Sequence, residues 1–277
     1  MMTKRFSGTA PEADEHRRFT LRNASGMAVT ISECDAALWS WQAPDRYGRM
    51  ADVVLAPRRL AGAVLWKGQH AEGGVTLLRS ETADAVAQLA KYHLDDDGCL
   101  TVHHEVVAMA PTPLDVTSNP CFNLNGGAAD VGDHMVQIDA DYYVGVDADG
   151  APANLAAVGG TAFDFRQAAP IGARLRWPDS QIRQRGGLDH CFFVRNHFSG
   201  GQGPLREVAR VVDPGSGRCL QLHTTEAAVQ LRAVQQGSFT LEARARPELT
   251  SAAWPHVIVL PGHVYRQTSV YRLSLQP

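Results

Sequence analysis

The sequence predicts an all-β protein folded as a large antiparallel β-sandwich. Three observations carry this prediction. Apolar and polar residues alternate with a period of two along most of the chain from Phe19 onward. Turns rich in Gly, Pro and Asp recur between those runs, as in PDRYG, DDDG, DADGAP, DPGSG and LPG. Helical periodicity is hard to find. Two sheets packed face to face are the natural way to bury so many half-apolar strands.

The elements follow in chain order. In RFTLRNASGMAVTISEC, Phe19 and Leu21 alternate with polar neighbours, Asn23-Ala24-Ser25-Gly26 turns the chain, and Met27, Val29 and Ile31 resume the alternation. That is a hairpin signature. SETADAVAQLAKYHL reads two ways: a helix capped by Ser80, or a strand on the even spacing of Val86, Ala90, Tyr92 and Leu94. Asp95-Asp96-Asp97 before Gly98 reads as a solvated hairpin turn. TSNPCFNLNGG, residues 117–127, reads as a strand of polar side chains ending in a double-glycine turn. HMVQIDADYYVGV puts Val136, Ile138, Ala140, Tyr142 and Val144 on one face of a single long strand. At the C-terminus Tyr271, Leu273 and Leu275 alternate with Arg272, Ser274 and Gln276. Residues 1–16 read as a flexible leader and 17–277 as one domain, a length that β-sandwiches reach as a single unit.

A formal net charge of -3 over 277 residues, with no basic run, argues against nucleic acid as a partner. The five cysteines (34, 99, 121, 191 and 219) lie far apart with no C-x-x-C pair, which fits reduced thiols. MMTKRFSGTAPEADEHRRF lacks the apolar core of a secretion signal, and no run of about 18 apolar residues is present. These features predict a cytoplasmic protein that is not a membrane component, and they leave monomer and homodimer both open.

Several chemical motifs fail on spacing. His103 and His104 are adjacent in a strand and point to opposite faces, so they cannot share a metal. HAEGG lacks helical zinc-site spacing, no G-x-S-x-G is present, and the GSG at 215–217 is a turn without a surrounding strand–helix pair. Three polar positions stand out instead. Asp189-His190 follows Gly186-Gly187 and enters the apolar run Cys191-Phe192-Phe193-Val194. Gln230 sits in a largely apolar strand, and Glu242 lies beside Phe239 and Leu241. A carboxylate desolvated by such neighbours suits general-base work near neutral pH. Spacing alone favours a solvated edge-strand residue at each position.

These stretches resemble the aldose 1-epimerase (galactose mutarotase) family, in register from about Phe19 to the C-terminus. TPLDVTSNPCFNLNGG is similar to T-P-V-N-L-T-N-H-x-Y-F-N-L-x-G, GGLDHCFFV to G-x-D-H-x-F, and HTTEAAVQL to T-T-x-P-x-x-Q. TLEARARPE is similar to L-E-x-Q-x-x-P-D, and LPGHVYRQTSVYRLS to R-P-G-E-x-Y-x-x-x-T-x-Y-x-F. The resemblance implies the large galactose mutarotase-type β-sandwich and a carbohydrate ligand, with no cofactor and no metal. It implies an isomerase that opens and recloses a sugar ring, with a glutamate taking the anomeric proton and a histidine protonating the ring oxygen. Carried onto this sequence, Glu242 is the base, Asp189 accepts from sugar hydroxyls, and Gln230 lines the site.

The chain departs from the pattern in three places. The motif histidine is Asn119, which binds substrate but cannot deliver a proton. The segment bearing G-R-x-x-N-R and L-H-G-G has no counterpart, since Leu55 reaches Trp66 through only APRRLAGAVL; Arg58 or Arg59 is the nearest stand-in for its arginine. The loop before the base is shortened to RAVQQGSF. His190, His70 and His223 are alternative acids, with His190 also a substrate-binding candidate beside Asp189. Two further readings stay open: a non-catalytic carbohydrate-binding or regulatory protein, and an isomerase repurposed for a specialised metabolite.

Overall fold

The computed structural model describes residues 17–55, 64–71, 73–81, 86–113, 116, 120–147, 149, 151–195, 203–234, 237–245 and 258–276. Among these residues strands dominate, and every pairing between them is antiparallel. The predicted hairpin is present: Arg18–Arg22 pairs with Ala28–Ser32, and Phe19, Leu21, Val29 and Ile31 are buried. Leu38–Pro44 and Met50–Asp52 complete this four-stranded sheet. It is keyed to the rest of the molecule by a close approach at Gly68, where a Cβ would stand 2.4 Å from the Phe19 ring.

Two larger sheets form the body. The nine-stranded sheet runs Ala169–Pro170, Met135–Ile138, Arg206–Val212, Arg218–Thr224, Val264–Leu275, Cys99–Ala108, Val86–Leu94, Gly74–Glu81, Lys67–Ala71. The seven-stranded sheet runs Pro152–Ala157, Ala140–Val146, Gly187–Val194, Ala228–Val234, Ser238–Arg244, Cys121–Phe122, Val54–Leu55. They meet through large apolar side chains. The Phe122 ring lies 5.7 Å from both the Phe239 and Tyr271 rings, and the Tyr271 hydroxyl donates to the Leu241 carbonyl at 3.0 Å. Phe122, Phe239 and Leu241 are at most 1% exposed, and burial of side chains this size contributes about 1.5–3 kcal/mol each.

The stretch with two readings resolves as strand. Val86–Leu94 pairs with Gly74–Glu81 and Cys99–Ala108, and Val86, Ala90, Tyr92 and Leu94 all point inward. The Asp95–Gly98 turn closes the latter pair, with Asp95 Oδ1 accepting from the Asp97 and Cys99 amides and Gly98 at φ +76°. His103 and His104 take opposite faces, as alternation requires.

The single long strand expected through 134–146 is corrected. Met135–Ile138 pairs with Arg206–Val212 in the nine-stranded sheet, whereas Ala140–Val146 pairs with Gly187–Val194 in the seven-stranded one. The chain changes sheet at Asp139, whose amide donates to the Val208 carbonyl and whose carbonyl accepts from the Arg195 amide. A register shift between Ala140 and Tyr142 then leaves Tyr142 49% exposed and buries Tyr143. Such an irregularity re-aims the following side chains.

Two short helices, Ile171–Leu175 and Ser180–Arg185, were not expected. The second has clear local causes. The Asp179 carboxylate caps it by accepting from the Gln181 amide at 2.7 Å, and Gly186 at φ +66° ends it in the left-handed conformation. It delivers the chain into the Gly187–Val194 strand.

Candidate active site

Alternation within three neighbouring strands builds the candidate site. Phe239, Leu241 and Ala243 point toward the nine-stranded sheet, so Thr240, Glu242 and Arg244 point away from it. Directly opposed residues of an antiparallel pair share a face. Gln230 is opposite Glu242 and Cys191 is opposite Gln230, forming one row across the strands. The next row is Asp189, Arg232, Thr240 and Cys121. Glu242 belongs to the centre of this face and is only 3% exposed.

Hydrogen bonds tie the rows together. Gln230 Nε2 donates to Asp189 Oδ1 at 2.7 Å, linking two of the residues singled out in the sequence. Arg244 Nη2 donates to Glu242 Oε2 at 3.1 Å. Arg185 and Arg232 approach Asp189 Oδ2 at 3.6 and 3.7 Å, within ion-pair range but too long for hydrogen bonds. Both carboxylates therefore face guanidinium groups. Burial, together with the nearby Glu242 carboxylate, pushes the Cys121 thiol up, so it stays a neutral thiol at this face.

The structure thus brings Asp189, Gln230 and Glu242 together, and it sends His190 elsewhere. His190 is adjacent to Asp189 in an extended strand, so its ring lies on the opposite, core-facing side. There it stacks 4.2 Å from Phe163 and 6.0 Å from Tyr143. Its Nδ1 accepts from the Asp189 amide at 3.1 Å, while Nε2 has no partner. Burial pushes its pKa down to about 4, which makes it a neutral core histidine.

The other alternative acids also lie away from Glu242. His70 is on Lys67–Ala71 at the far edge of the nine-stranded sheet, and its ring meets Phe19. His223 lies beside Glu207 on Arg218–Thr224. None of these three histidines shares the face of Glu242, whereas His104, buried on Cys99–Ala108, lines a small cavity together with Glu242, Gln267 and Ser269. Asn119, Arg58 and Arg59 lie outside the described residues. Sequence reasoning passed over Arg185, Arg232 and Arg244, although two of them carried a signal. Arg232 and Arg244 each stand two residues beyond a chosen residue, and a period of two puts them on the same face.

A groove of about 850 Å³ lies elsewhere, beyond the start of the Glu242 strand, lined by Asp45, Asn125, Asp213 and Arg218 among others. Its buried charges are taken up by the fold. Arg218 donates to the carbonyls of Ala43, Pro44, Arg49 and Leu124, Asp213 accepts from the Gly215 and Ser216 amides, and Asp45 holds Arg49. Among the described residues no group of three or more His, Cys, Asp or Glu side chains gathers as a metal site. No helix among them is long and apolar enough to cross a membrane.

Comparison with known proteins bears on the family and the fold. A family model for aldose 1-epimerase matches residues 60–272, well over half of the chain. Bos taurus galactose mutarotase is 31% identical over 199 residues, covering 65% of this chain and 55% of that protein. The chain therefore matches little more than half the length of that relative. Escherichia coli K12 aldose 1-epimerase is 26% identical over 279 residues, covering 80% of this chain and 79% of its own. The crystal structure of galactose 1-epimerase from Lactobacillus acidophilus shares the fold, with a TM-score of 0.78 at 22% identity over 97% of this chain and 98% of that one. Well over half of its length matching one family model, on a fold shared with a solved epimerase, this chain belongs to the aldose 1-epimerase family.

Proposed function

We propose that the chain is an isomerase that interconverts the anomers of a sugar, or of a sugar-like lactol, by opening and reclosing its ring, with Glu242 as general base. The observation that carries this reading is the Asp189–Gln230–Glu242 constellation. A buried carboxylate lies in one polar row with Gln230, and Gln230 is hydrogen-bonded to a second carboxylate in the next row. Family membership supplies the reaction class.

In this mechanism the Glu242 carboxylate accepts the proton of the anomeric hydroxyl. The C1–O5 bond breaks as O5 gains a proton, C1 becomes an aldehyde, and rotation about C1–C2 exposes its other face. Reclosure returns the proton from Glu242 to the new anomeric oxygen. Arg244 holds the Glu242 carboxylate in place by donating to its Oε2. Asp189, an acceptor-only group when ionised, takes a hydrogen bond from a ring hydroxyl, and Gln230 fixes its orientation. None of His70, His190 and His223 shares this face to protonate O5. That absence favours a second reading, in which the site binds a sugar without turning it over.

The test is the polarimetric relaxation of freshly dissolved aldoses with wild type and Glu242→Gln. A positioned general base contributes about 10²–10⁴-fold, and the variant is expected to lose that factor. Equal rates for both proteins across hexoses and pentoses refute the isomerase. Sugar binding without acceleration establishes the binding protein instead.

A further inference from the structure

We propose that this site is built for an aldose carrying a negative charge, a carboxylate or a phosphate ester, rather than for a neutral sugar. The inference rests on the proposed sugar site for the ring, and on the arginines around it for the charge. The strands Gly187–Val194, Ala228–Val234 and Ser238–Arg244 carry four residues of Asp, Glu, Lys or Arg type: Asp189, Arg232, Glu242 and Arg244. All four lie on the candidate face, and the helix Ser180–Arg185 adds Arg185 against Asp189. Three guanidinium groups thus stand against two carboxylates, an excess of one positive charge among the described residues of this face.

The excess is not consumed by hydrogen bonds. Asp189 Oδ1 is taken by Gln230 at 2.7 Å, and Arg185 and Arg232 stay 3.6 and 3.7 Å from Oδ2. Their forks keep donors for a further oxygen pair, and a guanidinium matches a carboxylate or phosphate in bidentate fashion. The Arg232 side chain is 57% exposed, so it is open to a ligand. It stands one row, about 7 Å along the strand, from the Gln230–Glu242 row, which is the scale of one sugar ring. An aldose with C1 at Glu242 and a charged substituent at its far end spans that interval. A neutral sugar leaves the third cation without a counter-charge, and an anionic one supplies it.

Binding of methyl glycosides tests this separately from catalysis, because they cannot open their rings. The probes are methyl glucoside, methyl glucuronoside and methyl glucoside 6-phosphate, titrated calorimetrically against wild type, Arg232→Gln and Arg232→Lys. Wild type is expected to bind one of the charged probes about tenfold or more tighter than the neutral one, the low end for hydrogen bonds to charged groups. Arg232→Gln is expected to erase that ratio and Arg232→Lys to retain part of it. Added salt is expected to weaken only the charged probe, since Arg232 is exposed. The carboxylate and phosphate arms show which anion is read. Equal affinity for neutral and charged probes, no binding of either charged probe, or an equal loss for both in Arg232→Gln overturns the inference. An inactive protein with the charge preference refutes the isomerase alone, and an active one without it refutes this inference alone.

Discussion

Glu242 and Glu226 are both buried, yet they sit in opposite electrostatic settings. Glu242 is on the candidate face, where Arg244 donates to its carboxylate at 3.1 Å. Glu226 is in the turn that carries the chain from Arg218–Thr224 in one sheet to Ala228–Val234 in the other, and it is 0% exposed. The Tyr265 hydroxyl donates to its Oε1 at 2.8 Å, and Oε2 has no partner. Arg206 lies nearby but spends its guanidinium on the Thr224 and Glu226 carbonyls. Burial therefore raises the Glu226 pKa to about 7. Among the described residues Glu226 is thus buried without an ion-pair partner, whereas Glu242 is buried with a guanidinium bonded to it.

The contrast is sharpest in Glu226→Gln. In the folded protein this carboxyl holds its proton up to about pH 7, and in the unfolded chain only to about 4.5. Its contribution to stability is full below 4.5, is lost as pH rises to 7, and is constant above. The loss corresponds to about 3 kcal/mol. His104 and His190, pushed down by burial to about 4, act in the opposite sense: stability falls as pH drops from 6.5 toward 4. The readout is therefore the difference in urea-unfolding free energy between wild type and variant. That difference is expected to move in favour of the variant by about 3 kcal/mol from pH 4.5 to 7. A difference independent of pH shows that Glu226 is not protonated in the fold.

Asp189→Asn comes next. It keeps the shape and the contact with Gln230 but removes the charge that receives a sugar hydroxyl. A loss of about 2 kcal/mol, seen as a higher KM with a nearly unchanged kcat, is expected for a hydrogen bond to a charged group. A fall in kcat at constant KM assigns Asp189 to the chemistry instead. The smallest effect is predicted for Arg244→Gln. Its side chain is 28% exposed, so its pairing with Glu242 is partly screened and contributes about 1 kcal/mol. The rate at neutral pH is expected to fall roughly fivefold. An unchanged rate removes Arg244 from the account of Glu242.

Much of the fold was readable as alternation, since burial on one face of a strand leaves a direct period-two imprint. The Phe19–Ile31 hairpin and the inward set Val86, Ala90, Tyr92 and Leu94 follow from it. The same signal misled at Asp139, because the alternation continues in phase while the chain changes sheets. Only the bonds from Asp139 to Val208 and Arg195 reveal that switch, and they join residues far apart in sequence. The helices Ile171–Leu175 and Ser180–Arg185 are too short for a 3.6-residue pattern, although Asp179 and Gly186 mark the limits of the second. At the site, the alternation that separated His103 from His104 also separates Asp189 from His190. Resemblance kept His190 beside Asp189 as a candidate, but the geometry of an extended strand places its ring in the aromatic core. Arg232 and Arg244 were missed for the converse reason, as surface-type residues whose meaning depends on the strands beside them.

The central claim is that Glu242 moves the anomeric proton of a sugar. The most direct measurement is NMR exchange between the α and β anomers of neutral and charged aldoses at equilibrium, with wild type, Glu242→Gln and Glu226→Gln at equal folded concentrations. The account predicts fast exchange with wild type and with Glu226→Gln, and exchange reduced by about 10²–10⁴-fold with Glu242→Gln. Exchange that survives in Glu242→Gln, or that is lost in Glu226→Gln, contradicts it.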